Sequence, residues 1–134
     1  MANIQDIEGI GPAFGEKLEA AGIKTVEALL EQGASAAGRK AIEEKTGIDG
    51  GKILTWVNHA DLFRIKGVAG QFSELLEASG VDTVPELAQR NAANLTAKMG
   101  EVNTEKNLAN RAPSESEVEK WIEEAKSLPK IVTH

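Results

Sequence analysis

Two glycine-rich turns are the stretches of this chain best suited to chemistry. Gly9-Ile10-Gly11 lies within IEGIGPAFGEKLEAAGI at 7–23, and Gly67-Val68-Ala69-Gly70 lies within IKGVAGQFSELLEASGV at 65–81. Glycine there permits a tight turn and leaves backbone N–H groups uncovered at the head of the next helix. Uncovered N–H groups and the helix dipole together favour an anion, so the chemistry on offer is the gripping of a phosphate. The candidate binding residues are Gly9, Ile10, Gly11 and Lys17 in the first turn, and Lys66, Gly67, Val68 and Gly70 in the second. Ile10 is expected to be buried beneath its turn.

Other chemistry finds little footing. His59 and Asp61 are two residues apart, which puts them on different faces of a helix, and His59 is expected to be a solvated helix residue. The other histidine, His134, is far away in sequence, so no metal site is expected. The chain has no cysteine, which excludes disulfides, thiolate metal sites and cysteine catalysis. GIGPAFGEK lacks the Lys-Ser/Thr ending of a nucleotide-binding loop, and the carboxylates are spread too evenly to nominate an acid/base pair. No enzyme, catalytic residue or cofactor is expected. Trp56 and Trp121 lie within apolar stripes and are expected in the core.

The elements that must hold the turns are written twice. With Gly9 aligned to Gly67, ten positions are identical through residue 30, among them Phe14/Phe72, Leu18/Leu76, Gly22/Gly80, Thr25/Thr83 and Leu29/Leu87. The likeness resumes with a shifted register between KILTWVNHADLF at 52–63 and EVEKWIEEAKSL at 117–128, matching Trp56 to Trp121. The second copy carries seven more residues between turn and Trp, and these are assigned to a flexible loop at 100–114.

Within each copy the apolar spacing is helical. Phe14, Leu18 and Ala21 recur one turn apart, as do Phe72, Leu76 and Ser79. Gly22 and Gly80 stand where left-handed residues end helices. Thr25 and Thr83 are placed as N-caps, with Thr83-Val84-Pro85-Glu86 and Ser114 with Glu117 read as capping boxes. Further helices are expected over roughly 35–46 and 50–64. No alternating strand pattern of useful length interrupts them, so the fold class is all-α.

Charge argues against a strong nucleic-acid binder. The net charge is −6, and 1–65 and 66–134 carry −3 each (10 acidic and 7 basic residues, then 11 and 8). Such a balance opposes long-range attraction to DNA, RNA or an anionic membrane. No apolar stretch approaches a bilayer span, and MANIQDIEG shows no signal-peptide pattern. A cytoplasmic protein without membrane attachment is expected.

The turns, with the helices around them, resemble the helix-hairpin-helix motif that holds nucleic-acid backbones without reading sequence. Over nearly its full length the chain is similar to a bacterial family of tandem helix-hairpin-helix proteins catalogued as a domain of unknown function. IEGIGPAFGEKLEAAGI, TWVNHADLFRIKGVAGQFSELLEASGVDTVPELAQRN and APSESEVEKWIEEAKSL carry that similarity. It implies two pseudo-symmetric helix-hairpin-helix (SAM-like helical) repeats, 1–65 and 66–134, packed together.

The chain departs from the DNA-binding pattern where the basic residue after the turn would stand. Those positions are Ala13 and Phe14 in the first copy and Gln71 and Phe72 in the second, and Ala69 replaces the second turn glycine. The expected role is thus a non-catalytic interaction or scaffold module with an unidentified protein partner. The alternative is weak, sequence-independent nucleic-acid backbone binding through the first hairpin. A merely conformational role for the glycines is expected more in the second copy than in the first.

Overall fold

The computed structural model describes residues 3–68 and 70–134 and is all-helical. Its contacts divide the chain into two units, residues 1–61 with 131–134, and residues 62–130.

The first unit opens with a 3₁₀ turn, Ile4–Asp6, closed by a capping box between Asn3 and Asp6. Helices α1 (Pro12–Ala20), α2 (Val26–Gly33), α3 (Ala36–Thr46) and α4 (Gly50–Leu62) follow. Several boundaries have a local chemical cause. Pro12 starts α1 and Gly22 ends it with φ +89°; Thr25 and Ser35 accept N–H bonds at the heads of α2 and α3. Asp49 Oδ2 accepts from Gly51 and Lys52 at the head of α4. Asn3 forms an isolated antiparallel bridge with Thr25, and the 3₁₀ turn packs on α1 and α2. Ile4, Leu18, Leu29, Ile53 and Val57 are fully buried. Two glycines permit close packing, Gly33 of α2 against α4 and Gly38 of α3 against α2. A Cβ on Gly33 would stand 2.5 Å from Val57 Cγ2, and one on Gly38 would strike the carbonyl oxygen of Gln32.

The second unit contains α5 (Gln71–Ala78), α6 (Val84–Ala88), α7 (Ala92–Lys106) and α8 (Glu115–Ser127). Helix α8 packs on α6 and α7, and α5 packs on α7, around a core that includes Leu62, Leu75, Leu76, Leu87, Met99, Val118 and Trp121. Ser114 and Glu117 form the expected capping box. Arg64 Nη2 donates to Pro129 O at 2.6 Å, tying the entry of this unit to its exit.

Three expectations are corrected. Residues 100–106 are helical, the end of α7, so the irregular stretch is shorter than 100–114. Val102 is buried there and Thr104 Oγ1 donates to Gly100 O, so the polar sequence conceals one apolar face. Thr83 is an N-cap without a side-chain bond, so the capping box read at Thr83–Glu86 does not form. His59 is 3% exposed and therefore not a solvated residue. Contacts divide the chain at 61/62, and residues 131–134 group with the first unit. Ala69, read as a departure from the hairpin pattern, lies outside the described residues.

Candidate functional site

In the first hairpin Ile10 N donates to Ile7 O at 3.2 Å, closing the turn. Gly9 has φ +93°, a left-handed backbone that favours glycine. Ile10 is buried, as expected. The matching bond in the second hairpin runs from Val68 N to Ile65 O at 3.1 Å; Gly67 has φ +89° and Val68 is buried.

Behind each turn stands a tryptophan. A Cβ on Gly9 would lie 3.3 Å from Trp56 Nε1, and one on Gly67 would lie 3.4 Å from Trp121 Nε1. Phe14 leans on Trp56 with centroids 5.2 Å apart and planes at 58°; Phe72 leans on Trp121 at 5.4 Å and 54°. A cation then covers each phenylalanine, Lys52 Nζ at 5.9 Å from the Phe14 centroid and Arg111 Cζ at 5.2 Å from that of Phe72. The same order, glycine, Trp, Phe and cation, is thus built in both units.

The second glycines differ. Gly11 is the N-cap of α1 at φ −83°, ψ −176°, with no side-chain cap and nothing within 4 Å of a Cβ built there. Neither backbone nor packing demands glycine at that position. Gly70, the N-cap of α5, has φ +48° and ψ −109°, a backbone that does demand it. Pro12 brings no N–H to α1, so the first-turn donors there are Ala13 and Phe14.

Electrostatics separates the hairpins further. The Lys66 backbone N–H donates to Glu124 Oε1 at 3.1 Å, so a carboxylate already occupies an anion's place beside the second turn. With the Trp residues aligned, the position of Glu124 is His59 in the first copy. Arg111 is gripped in a fork by Glu117, at 2.7 and 2.9 Å. The hydrogen bonds of Arg111, then of the Ser114 backbone, hold the Glu117 carboxyl down at about 2 from its ordinary 4.5. The reciprocal hydrogen bond and charge of Glu117 raise the pKa of Arg111. By contrast, no carboxylate pairs with Lys52 among the described residues.

Of the predicted cations, Lys17 is not brought to its hairpin. It lies in the last turn of α1, about 9 Å along the axis from the N-cap, beside Lys45 in a depression of about 430 Å³. Lys66 is exposed and contributes its backbone N–H. Sequence reasoning missed Lys52 and Arg111. Lys52 stands one helical turn before Trp56, a spacing that could have marked it; Arg111 sits in the inserted stretch, where no repeat register applies. Gln71, Phe72, Ala109, Asn110 and Arg111 line a depression of about 500 Å³ at the head of α5. Among the described residues no group of three or more His, Asp or Glu is placed to hold a metal, and no helix is long and apolar enough to cross a membrane.

An all-helical chain with two glycine hairpins, each backed by a Trp–Phe pair, is the class that fold and site define. The profile of a family described as Domain of unknown function (DUF4332) matches residues 8–128, and the chain belongs to that family. No curated protein and no solved structure matches the chain.

Proposed function

We propose that the protein is a non-catalytic interaction module built from two helix-hairpin-helix repeats, and that its principal partner is another protein. The matched glycine, Trp, Phe and cation order in the two units supports the repeat reading. One observation carries the partner class. In the second hairpin the groups that would meet a phosphate are already satisfied by carboxylates, the Lys66 N–H by Glu124 and Arg111 by Glu117. Phosphate contacts supply most non-specific nucleic-acid affinity, and a surface of net charge −6 offers few of them.

A second reading is favoured by a different observation. The first hairpin has a helix without a side-chain cap, an accessible Gly11 and a Lys52 without a carboxylate partner among the described residues, which suits weak, sequence-independent backbone binding.

Anisotropy of a labelled DNA duplex, titrated with the full chain at low and near-physiological salt, separates the two. The protein-partner reading expects no saturable binding at either salt. Saturable binding at low salt that falls steeply as salt rises, and that Gly11→Glu abolishes without loss of helicity, would replace it with the second reading. The partner arm is tested by capture from native lysate, in which reversing the exposed Glu119 and Glu123 on α8 to lysine is expected to release the bound protein.

A further inference from the structure

Residues 131–134 form no regular secondary structure, yet they are held in the first unit by a defined set of bonds. Val132 is 3% exposed. The Thr133 N–H donates to Ala34 O at 2.7 Å, and Thr133 Oγ1 approaches the same oxygen at 3.4 Å. Arg39, 8% exposed, donates from Nη2 to Thr133 O at 2.7 Å. From Nη1 it donates to Gly33 O at 2.9 Å and Ala34 O at 3.1 Å.

Two of the three Arg39 bonds do not involve the segment. They bind the guanidinium to the carbonyls at the end of α2, so it stays aimed whether or not residues 131–134 are in place. The corner between α2 and α3 is in that sense preorganised, which lowers the ordering cost of any occupant. Guanidinium has donors to spare, and a bond from it to a carbonyl is charge-assisted. The bonds taken from the segment are chiefly main-chain ones, joined by one buried β-branched side chain. Main-chain reading with one side-chain anchor is how short peptide segments are recognised.

We propose that this corner is a peptide-recognition site, filled in cis by the chain's own Ile131-Val132-Thr133. The partner it fits is a short segment of another protein with a β-branched aliphatic residue followed by a residue offering a free N–H and C=O. This deepens the protein-partner reading and rests on it. The tethered segment competes at an effective concentration of about millimolar, so the site is self-occluded until that segment leaves.

The test uses the full chain carrying Val132→Asp or, separately, Thr133→Pro, titrated with an acetylated and amidated Lys-Ile-Val-Thr-His peptide. Amide resonances of Ala34 and Arg39 are followed by NMR, and circular dichroism checks helicity. Thr133 is exposed, so its replacement removes the N–H donor without touching the core and decides the matter if Val132→Asp unfolds. Saturable shifts centred on Ala34 and Arg39 are expected in the variants, with the wild type binding about tenfold more weakly. A peptide N-methylated at its Thr should not bind. Absence of saturable shifts in the folded Thr133→Pro chain would overturn the proposal. So would equal binding by wild type and variant, or unimpaired binding of the N-methylated peptide. Any of these would leave the module reading intact, since DNA anisotropy and the α8 substitutions test that separately.

Discussion

The two hairpins share a scaffold and differ in what surrounds it. Each has a left-handed glycine against a Trp, a tilted Phe and a covering cation. In the first, Lys52 comes from the α4 helix and carries no carboxylate partner among the described residues. In the second, Arg111 comes from the loop after α7 and is neutralised by Glu117, while Glu124 takes up a backbone N–H. The lesson is that packing and ligand chemistry are separable in this motif. The aromatic stack is the same in both, while carboxylates bond the neighbouring N–H and cation in the second.

The largest effect should come from the stack itself. Trp56→Ala and Trp121→Ala should each cost about 3–5 kcal/mol in urea unfolding followed by circular dichroism. A loss well below that at one site would break the equivalence of the two stacks.

Next come the glycines. Gly67→Ala must hold a left-handed backbone and press on Trp121, so a loss of about 1–3 kcal/mol is expected. Gly11→Ala has open space and an extended backbone, and its change should stay within about 0.5 kcal/mol. A large loss at Gly11 would mean that its glycine is structural after all.

A smaller effect sharpens the electrostatic half of the comparison. Glu117→Gln with Glu124→Gln removes both negative charges beside the second hairpin while keeping acceptor oxygens there. The double variant is expected to gain a few-fold in low-salt duplex affinity by anisotropy, and the gain should vanish at high salt. No gain would mean that the carboxylates are not what closes that hairpin.

The smallest effect is a pH dependence. The Glu117 carboxyl is lowered from 4.5 to about 2, so the stabilisation it brings is present above pH 4.5 and fades as the pH falls towards 2. Because Arg111 and Glu117 are 60% and 35% exposed, solvent screening keeps this shallow. The wild-type Tm should decline more over that range than the Tm of Glu117→Gln.

Much of the fold was legible because it was written in capping residues and apolar spacing. Ser114 with Glu117, Thr25, Gly22 and Gly47 end or begin helices by local chemistry, and local chemistry is visible in sequence. The end of α7 was hidden because one buried residue, Val102, supports a polar turn. Thr83 has the residue pattern of a capping box but lacks its bond. The glycine turns were read from sequence as candidates, and both Trp residues were expected in the core, where they lie; their place behind the turns was not foreseen. The cations were not, because Lys52 and Arg111 reach their rings from different elements. Arg39 was invisible for the same reason: its partners are main-chain carbonyls, one of them 94 residues away.

The bonds of Thr133 bear on how the protein is made. The contact between Thr133 and Ala34 spans 99 residues, and the whole of the second unit is synthesised between its two ends. At about 5–20 residues per second, the ribosome delivers Val132 and Thr133 several seconds after Arg39. Through that interval, in which residues 62–130 are made, the α2–α3 corner stands without residues 131–134.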